Sequence, residues 1–332
     1  MEFRTEVKIP AQPFIELNQP YLLMGSCFSE HIGKKLTALK LDACINPFGI
    51  LYQPAAIANA LTRIINRKYY VFEELVFHEG LYHSADHHGV FSGPDANEVL
   101  SQINNLIDSA HLQLKKKDII LLITWGTAKG FKTIKNKSTV GNCHKLPASN
   151  FESYIETPEE IVTAYRLLIL QLKTICPTIK MVFSISPVRH KRDGFVANQH
   201  SKSVLFVALH QLLMKDEVHY FPAYEILMDE LRDYRYFAND MLHPSEVAVN
   251  YIWDKFISTY FNSTTLLAMQ EIEKVNKLLA HRPIHQNRTA HLDFLKKTEK
   301  KLDDLIKVHP FLDYREAIAS IKNKINTFEN HD

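Results

Sequence analysis

The chain has 332 residues, of which 46% are hydrophobic and 23% charged, and its formal net charge is +2. That length accommodates one large α/β domain with a smaller appendage, and the composition suits a globular protein with a sizeable core. The balanced charge provides no global field for nucleic acid, and no apolar run reaches the roughly 18–20 residues that span a bilayer. The opening MEFRTEVKIPAQPF lacks the apolar stretch of a secretory leader. Cys27, Cys44, Cys143 and Cys176 form no C-x-x-C pair, so a cytoplasmic protein with free thiols is expected.

In chain order, YLLMG (Tyr21–Gly25) reads as a buried strand. FSEHIGKKLTALK follows with helical spacing, Phe28, Ile32, Leu36 and Leu39 sharing one face. PAAIANALTRIINR is a second helix. Residues 71–95 break the rhythm and read as an inserted β-rich excursion. DIILLITWG (Asp118–Gly126) has the continuous hydrophobicity of a parallel strand covered on both faces. TPEEIVTAYRLLILQLKTI is a helix with Thr157 as N-cap and Pro158 at its first position. KMVFSISPV (Lys180–Val188) and EVHYFPAYE (Glu217–Glu225) are further strands, separated by a helix over SKSVLFVALHQLL. HPSEVAVNYIWDKFISTYF is the last helix of this alternation, which argues for a parallel sheet with helices on both faces. Beyond it, three segments with 3.6-residue patterning, punctuated by Pro283 and Pro310, form a Lys- and Glu-rich helical tail. The expected organisation is a main domain over 1–262 and a helical extension over 263–332. The extension either packs on the main domain or serves assembly into a homo-oligomer, and its charge runs read as solvated faces.

Ser26 falls between a buried strand and a helix, where helix N-terminal N–H groups and positive potential support a developing oxyanion. The same position suits a plain N-cap, a role that Ser favours. In YFANDMLHPSEVAV, Asp240 precedes His243 by three residues in the last loop before the last helix of the alternation. There the Asp can accept from one imidazole nitrogen while the other serves a nucleophile, which is the arrangement a Ser–His–Asp hydrolase requires.

Together GSCFSE, INPFGILYQP, TWGTA, NCHKLP, SISPVRHKRDG, NQHSKSVL, YFPAYEILMDELRDYR and DMLHPS resemble the GSCFA-domain family, grouped with the SGNH/GDSL hydrolases, over roughly residues 1–260. The resemblance implies a three-layer α/β/α, flavodoxin-like domain with a parallel sheet. It implies Ser26 as nucleophile, Asp240 and His243 as its partners, and Gly49 of NPFG as a backbone oxyanion donor beside the Ser26 N–H. Where the superfamily has G-x-N-D, this chain reads Gly126-Thr127-Ala128-Lys129, with no Asn. Asn142 of GNCHK is the expected substitute and Asn46 the second choice. The implied reaction is hydrolysis of a small acyl ester, such as an O-acetylated carbohydrate, through an acyl-enzyme and without a cofactor. The rivals are a non-catalytic binding protein that keeps the pocket, and an acyltransferase using the same triad.

Several residues carry competing readings. Asn46, His144 and Arg189 are expected to line the substrate site. His78, His83, His87 and His88 suggest zinc, but their spacing matches no zinc finger or H-E-x-x-H motif, and no metal is expected. Cys27 reads as packing beside the nucleophile. Cys143 and His144, adjacent in the chain, are poorly placed to form a dyad. Lys202, Arg232 and Arg235 are expected to pair with Asp229, Glu230 or Asp233. Trp125 and Trp253 read as core or pocket wall.

Overall fold

The computed structural model describes residues 4–281 and 288–329; Pro283 lies outside them. In chain order its elements begin with β1 (Tyr21–Gly25), α1 (Cys27–Ala38), β2 (Ala43–Ile45), α2 (Pro54–Asn66), β3 (Leu75–His78), β4 (Leu81–Ser84) and α3 (Ala96–Leu114). There follow β5 (Ile120–Trp125), β6 (Lys129–Thr133), β7 (Thr139–Val140), β8 (Phe151–Ile155), α4 (Pro158–Ile175), β9 (Lys180–Ile185) and α5 (Phe195–Lys215). The chain continues through β10 (His219–Tyr220), the short α6 (Ala223–Glu225), α7 (Glu246–Tyr260), α8 (Ser263–Ala280), α9 (Arg288–Val308) and α10 (Arg315–Glu329).

Five strands form a parallel sheet in the order β10-β9-β5-β1-β2. Side chains alternate across it. Leu22, Met24, Leu121, Ile123, Met181 and Phe183 join the core made with α2, α3, α4 and α5. Leu23, Leu122 and Val182 face the other way, towards Phe28 and Ile32 of α1 and Phe256 of α7. The result is helix, sheet, helix, a parallel sheet covered on both faces as the patterning predicts, in the flavodoxin-like strand order that fits the fold the resemblance implies. In such sheets the chain reverses direction beside the first strand, and ligands bind at the carboxyl edge there.

The helix starts follow local chemistry. Thr157 and Glu160 form a capping box ahead of α4, with Pro158 at its first position. Asp95 accepts from the amides of Asn97 and Glu98 to start α3, a helix absent from the sequence reading. Strand β10 is shorter than expected, two residues pairing with β9 before Pro222. Two antiparallel pieces are inserted between strands of the main sheet: the β3–β4 hairpin, within 71–95, between β2 and β5, and a three-stranded β7-β6-β8 sheet over 129–155 between β5 and β9.

The chain divides into two compact units. The first carries the parallel sheet. The second comprises residues 11–18, 35–42 and the chain from Ile257 onward. In it the Asn276 carboxamide donates to the Ala38 carbonyl and accepts from the Tyr314 hydroxyl. Met269, Ile272 and Val275 of α8, Leu295, Leu302 and Leu305 of α9, and Ile321 and Ile325 of α10 make buried stripes at helical spacing. No helix among the described residues is long and apolar enough to cross a membrane.

Candidate active site

Strand β1 is buried throughout and ends at Gly25, where φ is +137°. Ser26 follows and is 1% exposed. Its N–H donates to the Thr124 carbonyl at 3.2 Å, and its Oγ accepts from the Phe28 N–H at 3.3 Å. Ser26 therefore caps α1 and also stands at the carboxyl end of the first strand. A hydroxyl that accepts one bond still has its own proton to give. Burial, followed by the nearby Glu30, pushes the neighbouring Cys27 thiol up, which disfavours its thiolate.

The loop between Phe237 and Pro244, themselves bridged, holds the other half. Asp240 Oδ1 accepts from the N–H groups of Leu242 and His243, each at 3.0 Å, and its Oδ2 meets His243 Nδ1 at 2.5 Å. These bonds, the His243 N–H first, hold the Asp240 carboxyl well below the usual carboxylate range. In the neutral tautomer that donates Nδ1–H to Asp240, the lone pair lies on Nε2. Both side chains are 46% exposed.

Lys202 of α5 is 0% exposed. Its Nζ donates to the carbonyls of Gly126 at 2.7 Å and Ser186 at 2.5 Å, the residues just past β5 and β9. Burial pushes its pKa down to about 7. Cys27 lies within electrostatic reach of Lys202. His190, pushed down to about 4 chiefly by burial, lies within reach of both Lys202 and His243. No hydrogen bond joins Ser26 Oγ to His243 among the described residues. The expected carboxylate pairing holds for Arg232 with Asp229 and Arg235 with Asp233 but not for Lys202. The signal was present in the sequence: Lys202 shares a helical stripe with the buried Asn198, Leu205, Leu209 and Leu212.

The expected oxyanion and substrate residues are dispersed. Gly49 has φ +74°, and its N–H donates to the Asn46 carbonyl at 2.6 Å. A Cβ there would meet His88 Cβ at 2.3 Å. Asn46 is 5% exposed; its Oδ1 accepts from the Gly25 N–H at 2.9 Å, and its Nδ2 has no partner. Asn142 Oδ1 accepts from the His144 N–H at 2.9 Å. Asn142 and His144 line a cavity of about 480 Å³ with His83, Val76, Ile134 and Phe151, a lining that includes no member of the proposed triad. Burial pushes the His144 imidazole pKa down. Arg189 Nε donates to Asn198 Oδ1 at 2.6 Å and its guanidinium to the Phe195 carbonyl, holding the start of α5.

The histidines of 78–88 have mostly separate partners. His83 bonds the Ser92 hydroxyl and the His78 carbonyl, and His88 accepts from Val90 N–H. His87 bonds the Ser84 hydroxyl and stacks on Phe48 at 4.2 Å. Among the described residues no group of three or more His, Cys, Asp or Glu is placed to hold a metal ion.

The model of the GSCFA family matches residues 20–256, and that of the GSCFA domain protein, C-terminal domain, matches residues 272–327. The chain belongs to the GSCFA family. Both units of this GSCFA protein therefore carry a family match. No curated protein matches its sequence. Among solved structures it is similar to a carbohydrate esterase family 3 from Talaromyces cellulolyticus, with 10% identity and a TM-score of 0.32. That likeness covers 77% of this chain and 99% of the other, and is too slight to carry a role across.

Proposed function

We propose that this GSCFA protein is a serine acyl hydrolase of the SGNH type, acting on a small acyl ester through Ser26, His243 and Asp240. The observation that carries the reading is the Asp240–His243 pair. Its 2.5 Å contact supports an imidazole that donates Nδ1–H to the carboxylate and offers Nε2 as the base. A nucleophile is supplied by Ser26, at the carboxyl end of β1 where α/β sheets bind ligands. In the reaction His243 Nε2 takes the Ser26 proton as Oγ attacks the acyl carbon. Asp240 stabilises the imidazolium, which then protonates the departing alcohol. Water repeats the cycle on the acyl-enzyme and releases the acid. An O-acetylated carbohydrate is the substrate class that the family resemblance favours. One observation favours the binding-protein alternative: the Ser26 side chain is enclosed and its Oγ already accepts the Phe28 amide.

A short-chain aryl acetate assay separates these readings. Wild type is expected to turn over, and Ser26→Ala and His243→Ala to lose roughly a thousandfold or more. A fluorophosphonate is expected to label Ser26. A wild type with neither turnover nor label would sink the hydrolase reading.

A further inference from the structure

An ester hydrolase must hold the negative charge that builds on the carbonyl oxygen, with donors fixed before the reaction begins. The backbone donors expected for this task are engaged. The Ser26 N–H faces the Thr124 carbonyl and the Gly49 N–H faces the Asn46 carbonyl. Asn142 is bound to the loop that carries His144.

Asn46 is differently placed. Its backbone N–H donates to Leu23 of β1 at 2.8 Å, so the residue is laced to the strand that ends in the nucleophile. Its Oδ1 is fixed on the Gly25 N–H, one residue before Ser26, and this settles which end of the carboxamide is oxygen. Nδ2 is therefore held one carboxamide width from that anchor, buried, with no partner for either hydrogen. A buried unpaired amide of this kind is costly, and native proteins seldom keep one without a use for it. The backbone of Asn46 is itself in the left-handed region, at φ +43°, a conformation that Asn tolerates better than most residues. Two unfavourable features thus converge on one side chain next to the reacting serine.

We infer that Asn46 is the side-chain oxyanion donor of this site, with its Nδ2–H directed to the carbonyl oxygen of the ester attacked by Ser26. The assignment rests on the serine hydrolase reading. It replaces the missing Asn after Gly126 with one delivered from the loop after β2.

Asn46→Asp tests it, because the carboxylate keeps an acceptor for the Gly25 N–H and loses the donor. The expected result is a kcat for aryl acetate at least about a hundredfold lower, with KM little changed and a lower thermal midpoint, because a buried carboxylate is costly. Binding of a tetrahedral boronate should weaken in proportion to kcat, a readout that loop positioning alone would not reproduce. A folded Asn46→Asp variant with kcat within about threefold of wild type overturns the assignment. If the variant does not fold, the phosphonylated wild type decides: a phosphonyl oxygen in hydrogen-bond contact with Nδ2 supports the assignment, and one out of reach overturns it. A wild type without turnover or Ser26 labelling defeats the hydrolase reading and this assignment together. An active wild type with an active variant defeats this assignment alone.

Discussion

A methyl group at Gly25 would meet the Thr124 carbonyl oxygen at 2.2 Å and its carbon at 2.9 Å, both backbone atoms of the neighbouring strand. The φ of +137° adds strain for any L-residue. Three hydrogen bonds meet at this turn: the Gly25 N–H on Asn46 Oδ1, the Leu51 N–H on the Gly25 carbonyl, and the Ser26 N–H on the Thr124 carbonyl of β5. Gly25→Ala must therefore part β1 from β5 or unfold the turn, and an expected loss of about 4 kcal/mol or more follows. Denaturant unfolding checks it, and a loss below about 1 kcal/mol would contradict the close approach.

At the scale of elements, β8 hands the chain to α4 through Glu156, whose Oε1 accepts from the Ala55 N–H at the start of α2. Burial raises the Glu156 pKa from 4.5 to about 7. The fold thus disfavours the ionised form. Below about pH 4.5 the group is neutral whether folded or unfolded and costs nothing. As pH rises to about 7 the penalty grows, and above that it is constant. Glu156→Gln should match wild type at pH 4.5 and be more stable at pH 8, by up to about 3 kcal/mol. Denaturant titrations at the two pH values measure the difference. An equal offset at both would show that Glu156 does not titrate in this window.

Which elements were legible from sequence follows from where their information lies. Strands β1, β5 and β9 are continuous apolar runs, and Asp240 and His243 share one turn, so period and spacing revealed them. β2 has only three residues, and β6 to β8 alternate weakly among Lys, Thr and Ser, so neither rose above the loops around them. Helix α3 was missed although Val99, Ile103, Ile107, Ala110 and Leu114 form a buried stripe, because Asn and Ser residues dilute it. The features of Asn46 and Lys202 that matter depend on partners distant in the chain, Gly25 for one and the Gly126 and Ser186 carbonyls for the other. Local pattern carries no trace of such partners. The expected carboxylate partner for Lys202 failed for the same reason.

At the scale of the whole molecule, two units each have an apolar interior, and in the first the carboxyl edge of the sheet is fastened by a lysine without a carboxylate partner. Lys202 replaces a counter-ion with the carbonyls that two parallel strands leave open at their ends. Burial pushes its pKa down to about 7, and once unfolding exposes it, it is an ordinary lysine amine that acylating reagents attack. Yet no reagent can reach it while β5 and β9 stay closed above it. Lys202 is therefore a built-in clock for opening of the α/β unit. In timed acylation read by peptide mass spectrometry, Lys117, with its side chain 83% exposed, should be tagged at once. Lys202 should be tagged only as fast as the fold opens, and its rate should climb with denaturant in step with unfolding. Tagging of both at one rate in native buffer would mean that the edge breathes far more readily than its bonds suggest.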